Sequence, residues 1–314
     1  MHQAPRYVPD RSHAKLRSVA ACVAVGLLLS LFGTSCKKKS DAHATTPGVK
    51  QSIQNIGSDT MVNLAQAWAE EYANIAPDIS VEVSGGGSGV GIAALINRTA
   101  DIANSSRHLE PEEEHKAKSS IGRKPTQVIV GYDGLAIYVH RDNPLQEISL
   151  EELAEIYRED GKLERWSQLG VKHIPGAKND EIIRISRQNN SGTYAYFRET
   201  VVGKKADFKL GSLDMNGSKD VVEQVGKTPG SLGYSGLGYA TAAVKVLKVS
   251  RKKGGPSVMP SNATVGDKTY PISRPMFMYT PGDPPERVTK YIEWVLSEQG
   301  QAIVKLTGYV PLAK

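Results

Sequence analysis

The stretch ISVEVSGGGSGVGIAALINRTADIANSS (79–106) sets the fold class. It reads as a strand that runs into a glycine-rich corner, then a helix from Val90, then a short strand at DIANSS. Upstream, SIQNIGSD (52–59) is an alternating apolar strand that stops at a turn. TMVNLAQAWAEEYANIAP (60–77) follows with helical spacing: Met61, Leu64, Ala65, Trp68 and Tyr72 share a face. Pro77 closes that helix. The rhythm is β-α-β-α-β, which predicts an α/β fold with a parallel sheet and helices packed on it.

Downstream the pattern continues. TQVIVGYDGLAIYVH (126–140) is a long apolar strand, suited to passing from one lobe to another near Gly134. SLEELAEIYRED (149–160) opens with Ser149 as N-cap and Glu152 three residues on, a capping box. EIIRISR (181–187) is a strand, VVEQVGKTPGSLGYSG (221–236) a helix, turn and strand, and AVKVLKVS (243–250) and PMFMYT (275–280) further strands. The chain closes with PERVTKYIEWVLSEQGQAIVKL (285–306) as one long helix or two, with Pro284 and Pro285 at its start. The expected organisation is a first lobe over 51–136, a second over 137–244, and a return over 245–314.

Four strand ends share one chemistry. GSDTM (57–61), GGGSGVG (85–91), NSSRHL (104–109) and SRQNNSGTYAYF (186–197) each turn a strand into a helix start with hydroxyls, amides and glycine. Open α/β sheets bind ligands beyond the carboxyl ends of their strands. Helix starts carry free N–H groups and a positive dipole end, and Arg187 adds a planar fork of donors. Taken alone, SRQNNSGTY is equally a plain helix start capped by Asn190 or Ser191. Four such corners, none with an apolar anchor, point to a small polar anion.

Other classes find less support. The net charge is +6 over 314 residues, and residues 1–35 carry four cations against Asp10, a net +3. The remaining +3 is too mild for a nucleic-acid partner. No G-x-S-x-G, G-x-x-x-x-G-K-[ST] or H-E-x-x-H occurs, and the histidines are scattered. Gly89, Gly91 and Ala94 match a loose G-x-G-x-x-A, but the preceding Gly-Gly-Gly-Ser is as readily an anion nest. No metal, cofactor or catalytic residue is expected. The basic segment Arg6–Arg17 and the apolar run Val19–Phe32 read as an export signal over 1–35. LFGTSC, ending at Cys36, resembles a lipoprotein signal, with Gly33 where a leucine is usual; 36–50 is then a tether. Cys22 lies in the signal, so the exported chain has no cysteine pair for a disulfide.

In this order and spacing IGSDTM, VEVSGGGSGVGI, ADIANSSR and SRQNNSGTY, with SLGYSGLGYA and GYVPL, resemble the periplasmic phosphate-binding proteins of ABC transporters, the PstS-like class. The resemblance covers residue 51 to the C-terminus. It implies a type II two-lobe binding-protein fold with a hinge and a monomer that holds inorganic phosphate for a membrane permease. Carried over, Thr60 gives its hydroxyl and Met61 its backbone N–H. Ser88 and Ser106 bond the anion, Arg187 is the charged clamp, and Ser191, Gly192 and Thr193 cradle it. Ser58, Asp59, Gly89 and Arg107 are further candidates. Two departures matter. Well-known members of that class carry an Asp where Ser106 stands, an acceptor that rejects ionised sulfate. Some also pair their arginine with an Asp two positions on, where this chain has Asn189, which leaves the arginine less neutralised. Sulfate or molybdate binding, or phosphate sensing, stay open as alternatives to phosphate uptake.

Overall fold

The computed structural model of the protein describes residues 50–313. The expected signal, Cys36 and the tether through residue 49 lie outside the described residues.

The N-terminal part repeats strand and helix as expected: β1 (Gln51–Gly57), α1 (Val62–Ile75), β2 (Ile79–Ser84), α2 (Ser88–Ile96), β3 (Ile102–Ser105) and α3 (Pro111–Ile121). β1 lies between β2 and β3 and runs parallel to both. Leu64, Ala65, Trp68 and Tyr72, the apolar stripe of α1, are buried against this sheet, together with Met61. The Trp68 indole N–H donates to Gly300 O at 2.8 Å.

β4 (Thr126–His140) joins two halves of the molecule. It is followed by β5 (Glu147–Ser149), α4 (Leu150–Tyr157), β6 (Ile183–Arg187), α5 (Gly192–Phe197), β7 (Leu213–Met215), α6 (Ser218–Lys227) and β8 (Ser231–Gly236). Then come β9 (Val244–Val246), β10 (Lys248–Ser250), α7 (Asn262–Gly266), β11 (Ser273–Thr280), α8 (Glu286–Leu296) and α9 (Glu298–Leu306). The main sheet runs β2-β1-β3-β11-β4-β8-β6-β7, with β9 also on β4. Its flanks are parallel, and β11 and β4 form an antiparallel centre. Along β4 the partner changes between Gly134, which faces Ser273 of β11, and Leu135, which faces Gly236 of β8.

Two large cores flank this seam. One gathers Ile53, Leu64, Trp68, Met276, Tyr291 and Val304. The other gathers Leu135, Ile137, Leu153, Tyr157, Phe197 and Tyr234. Phe197 stacks on Tyr234 with centroids 3.8 Å apart, and Tyr157 meets both edge-on. Leu247, Val249, Tyr270 and Ile272 join this second core, so β11 carries the chain back.

One expectation resolves differently in detail, and one open alternative resolves as two helices. AVKVLKVS is two strands. Leu247 is buried at the break and its N–H bonds Ile137 O, after which β10 leaves β4 to pair with β5. The C-terminal segment is two helices, because Ser297 ends α8 and its hydroxyl caps α9 at Gly300 N.

Candidate functional site

The four corners meet. At the first, β1 ends at Gly57 and a 3-10 turn over Asp59–Met61 leads into α1. Ser58, Thr60 and Met61 are all buried there. At the second, Gly87 takes a φ of +99°, where a built Cβ would lie 2.6 Å from Asn190 O; only glycine permits that approach. Ser88 then begins α2 with no exposed surface. The third corner puts buried Ser106 directly after β3, and the fourth puts Ser191, Gly192 and Thr193 four to six residues beyond the end of β6.

The hydroxyls form a trio and a pair, and Gly192, next to Thr193, brings the two together in one cluster. Ser58 Oγ lies 2.9 Å from Ser106 Oγ, and Ser106 Oγ lies 3.4 Å from Ser88 Oγ. Ser88 Oγ also accepts from Ser106 N at 3.1 Å. Thr60 Oγ1 and Thr193 Oγ1 are 2.9 Å apart, although 133 residues separate them in sequence. Gly192 presses against the same group: a Cβ there would lie 2.2 Å from Ser88 Oγ and 2.6 Å from Ser106 Oγ. Buried polar atoms need partners, and here hydroxyls supply them to one another. A hydroxyl rotates freely between donating and accepting, so the same atoms can turn their hydrogens toward an anion.

Some predicted residues are engaged elsewhere. The Met61 N–H closes the turn on Ser58 O at 2.9 Å. Ser191 Oγ is the cap of α5, accepting from Thr193 N and Tyr194 N. Gly89 N donates to Asn190 O at 3.0 Å and helps pin the second corner to the fourth. Arg107 makes a bidentate pair with Glu113, both contacts at 2.7 Å.

Arg187 is buried, at 1% exposure. Its Nη2 donates to Asp59 Oδ2 at 3.0 Å and to Asn216 O, and its Nη1 to Ser218 Oγ. Burial pulls its pKa down, and the neighbouring Asp59 carboxylate opposes that. The arginine expected to be less neutralised, because Asn189 stands in place of an Asp, is therefore neutralised by Asp59. That carboxylate comes from a different corner, and its other oxygen accepts from Gly86 N. Tyr239 OH donates to Asp59 O at 2.6 Å and Tyr309 OH to Thr60 O, which fixes the first corner from behind. Burial pushes the Tyr239 phenol up to about 12, so it stays a neutral donor.

Two residues escape the sequence reading. Arg274 on β11 and Asp133 on β4 are a buried ion pair at 2.8 Å, with 1% and 0% side-chain exposure. Arg274 Nη2 also reaches Thr193 Oγ1 at 3.0 Å and Thr60 Oγ1 at 3.2 Å. Each stands as a lone charge inside an apolar strand, and that is the signal that marks them. A cavity of about 950 Å³ borders the cluster, lined by Ser106, Arg107, Asn189, Tyr196, Arg274 and Phe277 among others.

Comparison with known proteins places the chain in a family. A family model described as the PBP superfamily domain matches residues 41–299. The phosphate-binding protein PstS of Pseudomonas aeruginosa is 34% identical over 279 residues, covering 84% of each chain. The chain belongs to the PBP superfamily, in its PstS-like family. A further PstS-like relative, the phosphate-binding protein PstS of Bacillus subtilis, is 27% identical over 296 residues, 94% of this chain and 92% of that one. Among solved structures, a phosphate ABC transporter substrate-binding protein from Clostridium perfringens with bound phosphate superposes with a TM-score of 0.74. It is 28% identical and covers 84% of this chain and 100% of its own. The mixed α/β sheet described above is thus the fold of this family.

Proposed function

We propose that this protein captures inorganic phosphate between its two halves and delivers it to an ABC permease. The observation that carries the reading is the buried hydroxyl cluster. Ser58, Thr60, Ser88, Ser106 and Thr193, from four separate corners, lie within 3.4 Å of a neighbour in it. Phosphate gives up a strong hydration shell only where many donors replace it together. In this reading Thr60, Ser88, Ser106 and Thr193 turn their hydroxyls to the anion, and the missing side chain of Gly192 leaves it room. Met61 N–H and the Ser191 corner complete the cradle once the turn relaxes, and Arg187 supplies positive potential. Ser58, Asp59, Gly89 and Arg107 support these groups.

The lobes are taken as 51–136 and 137–244, with 245–272 still packed on the second core and β11 leading back to the first. β4 and β11 then form the hinge on which the halves close around the ligand. The protein acts as a monomeric carrier and not as an enzyme. It works outside the cytoplasmic membrane, held near its permease by lipid at Cys36. One acyl chain anchors weakly, so more than one is expected there.

A second reading, another oxyanion, is favoured by one feature. Ser106 is fully buried and able to donate, where an obligate acceptor would exclude sulfate. Calorimetric titration tests both. The protein lacking residues 1–37 is stripped of phosphate by unfolding and refolding, then titrated with phosphate and with sulfate. Tight phosphate binding upholds the first reading. Stronger sulfate binding replaces it with the second, and heat from neither anion overturns both.

A further inference from the structure

Asp133 and Arg274 face each other directly across the antiparallel register of β4 and β11. Arg274 Nε and Nη2 both donate to Asp133 Oδ2, at 3.0 and 2.8 Å. The same guanidinium also reaches the hydroxyl cluster. Nη2 lies within 3.2 Å of the Thr60 and Thr193 hydroxyls, and Nη1 donates to Ser106 O at 3.3 Å. The guanidinium carbon stands 5.4 Å from the centre of the Tyr196 ring. One cation on the central strands therefore touches three of the four corners.

Arg187, the arginine expected to clamp the ligand, spends its Nη donors on Asp59, Ser218 and Asn216. The guanidinium in hydrogen-bond contact with the clustered hydroxyls is that of Arg274. Buried ion pairs are weak sources of stability, and apolar replacements often serve the fold as well. A pair kept at the centre of a hydroxyl cluster calls for another role. Nη2 has two hydrogens and three acceptors within 3.2 Å: Asp133 Oδ2, Thr60 Oγ1 and Thr193 Oγ1. One hydrogen stays on the carboxylate. The other is shared between two hydroxyls, and an anion oxygen seated against them is a better acceptor than either.

We propose that Arg274 is a direct ligand of the bound oxyanion, with Asp133 as its fixed counter-charge. The proposal rests on the phosphate reading, and the test separates the two. A crystal structure of the unmutated protein grown with phosphate is the first arm. Phosphate oxygen within about 2.7–2.9 Å of an Arg274 Nη is expected, the span of charge-assisted bonds. Phosphate at the cluster with Arg274 bonded only to protein overturns the inference and leaves the phosphate reading intact. Phosphate absent from the cluster overturns both. The second arm is calorimetry on Arg274→Lys and on the double variant Asp133→Asn with Arg274→Gln, which removes both charges together and leaves neither partner stranded. Each is expected to bind phosphate about 100-fold or more weakly, as loss of a buried charged contact does. A folded double variant that binds within about threefold of the unmutated protein, under 1 kcal/mol by the standard relation, overturns the inference.

Discussion

Arg187 Nη2 meets Asp59 Oδ2 at 3.0 Å, joining the turn after β1 to the end of β6 across 128 residues of chain. The guanidinium is 1% exposed and the carboxylate 14%. Removing the carboxylate leaves a cation buried beside two neutral acceptors. Asp59→Ala is expected to lower stability by about 3 kcal/mol, the low end for a broken buried pair because Asp59 keeps some contact with water. Asp59→Asn, which can still accept from Gly86 N, is expected to cost less. Urea denaturation of both variants reads the difference; equal losses would show that the Gly86 contact adds nothing.

Gly192 is where a single added carbon tests the site most directly. Its Cβ would lie 2.2 Å from Ser88 Oγ and 3.0 Å from Ser88 Cβ. Rotation of the hydroxyls relieves part of this clash, and the rest must move α5 away from α2. Gly192→Ala is expected to cost roughly 1–3 kcal/mol of stability, as overpacked interiors do. It should also weaken phosphate binding much more than it weakens the fold. Calorimetry beside thermal melting distinguishes the two effects, and unchanged phosphate affinity would remove Gly192 from the site.

Much of this arrangement is legible in the sequence. The strand ends at Gly57, Ser84, Ser105 and Arg187 follow from apolar runs that stop at hydroxyl- and glycine-rich turns. The parallel order of β1, β2 and β3 follows from the helices between them. What is not legible is pairing over distance. Asp59 reads as a turn residue until the fold brings Arg187 to it. Asp133 and Arg274 read as isolated charges, because 141 residues separate two strands whose register only the folded sheet defines. Local competition is also hidden: Ser191 as a cap and Ser191 as a ligand have the same sequence pattern. The structure has its hydroxyl capping α5.

Ser106 carries the selectivity question. It is fully buried between Ser58 Oγ and Ser88 Oγ, and its hydroxyl donates as readily as it accepts. Ser106→Asp puts an obligate acceptor there. Phosphate keeps a proton to offer it near neutral pH, whereas sulfate brings only negative oxygens. Like charges meeting at a buried contact cost several kcal/mol, so sulfate affinity is expected to fall more than about 100-fold relative to phosphate. Competition titrations at one pH measure the ratio in both proteins. A ratio unmoved by the substitution would place discrimination elsewhere in the cluster.

The start of α4 gives a prediction away from the site, with a defined sign in pH. Ser149 Oγ accepts from Glu152 N at 3.1 Å, and Glu152 Oε2 accepts from Ser149 N at 3.0 Å. Lys253 Nζ lies 3.1 Å from Glu152 Oε1. Burial pushes the Glu152 carboxyl up, but the bonds from Ser149 and Lys253 outweigh it and hold the pKa below its ordinary value. A depressed carboxyl contributes stability above its unfolded pKa of about 4.3, and that contribution is lost as pH falls through the folded value. Glu152→Gln is therefore expected to melt below the unmutated protein at pH 7, with the gap closing under acid conditions. Ser149→Ala removes the cap itself and is expected to cost about 1 kcal/mol at neutral pH. Melting curves across the acid range decide it: a gap for Glu152→Gln that stays constant with pH would mean that the ionised form gains nothing from its partners.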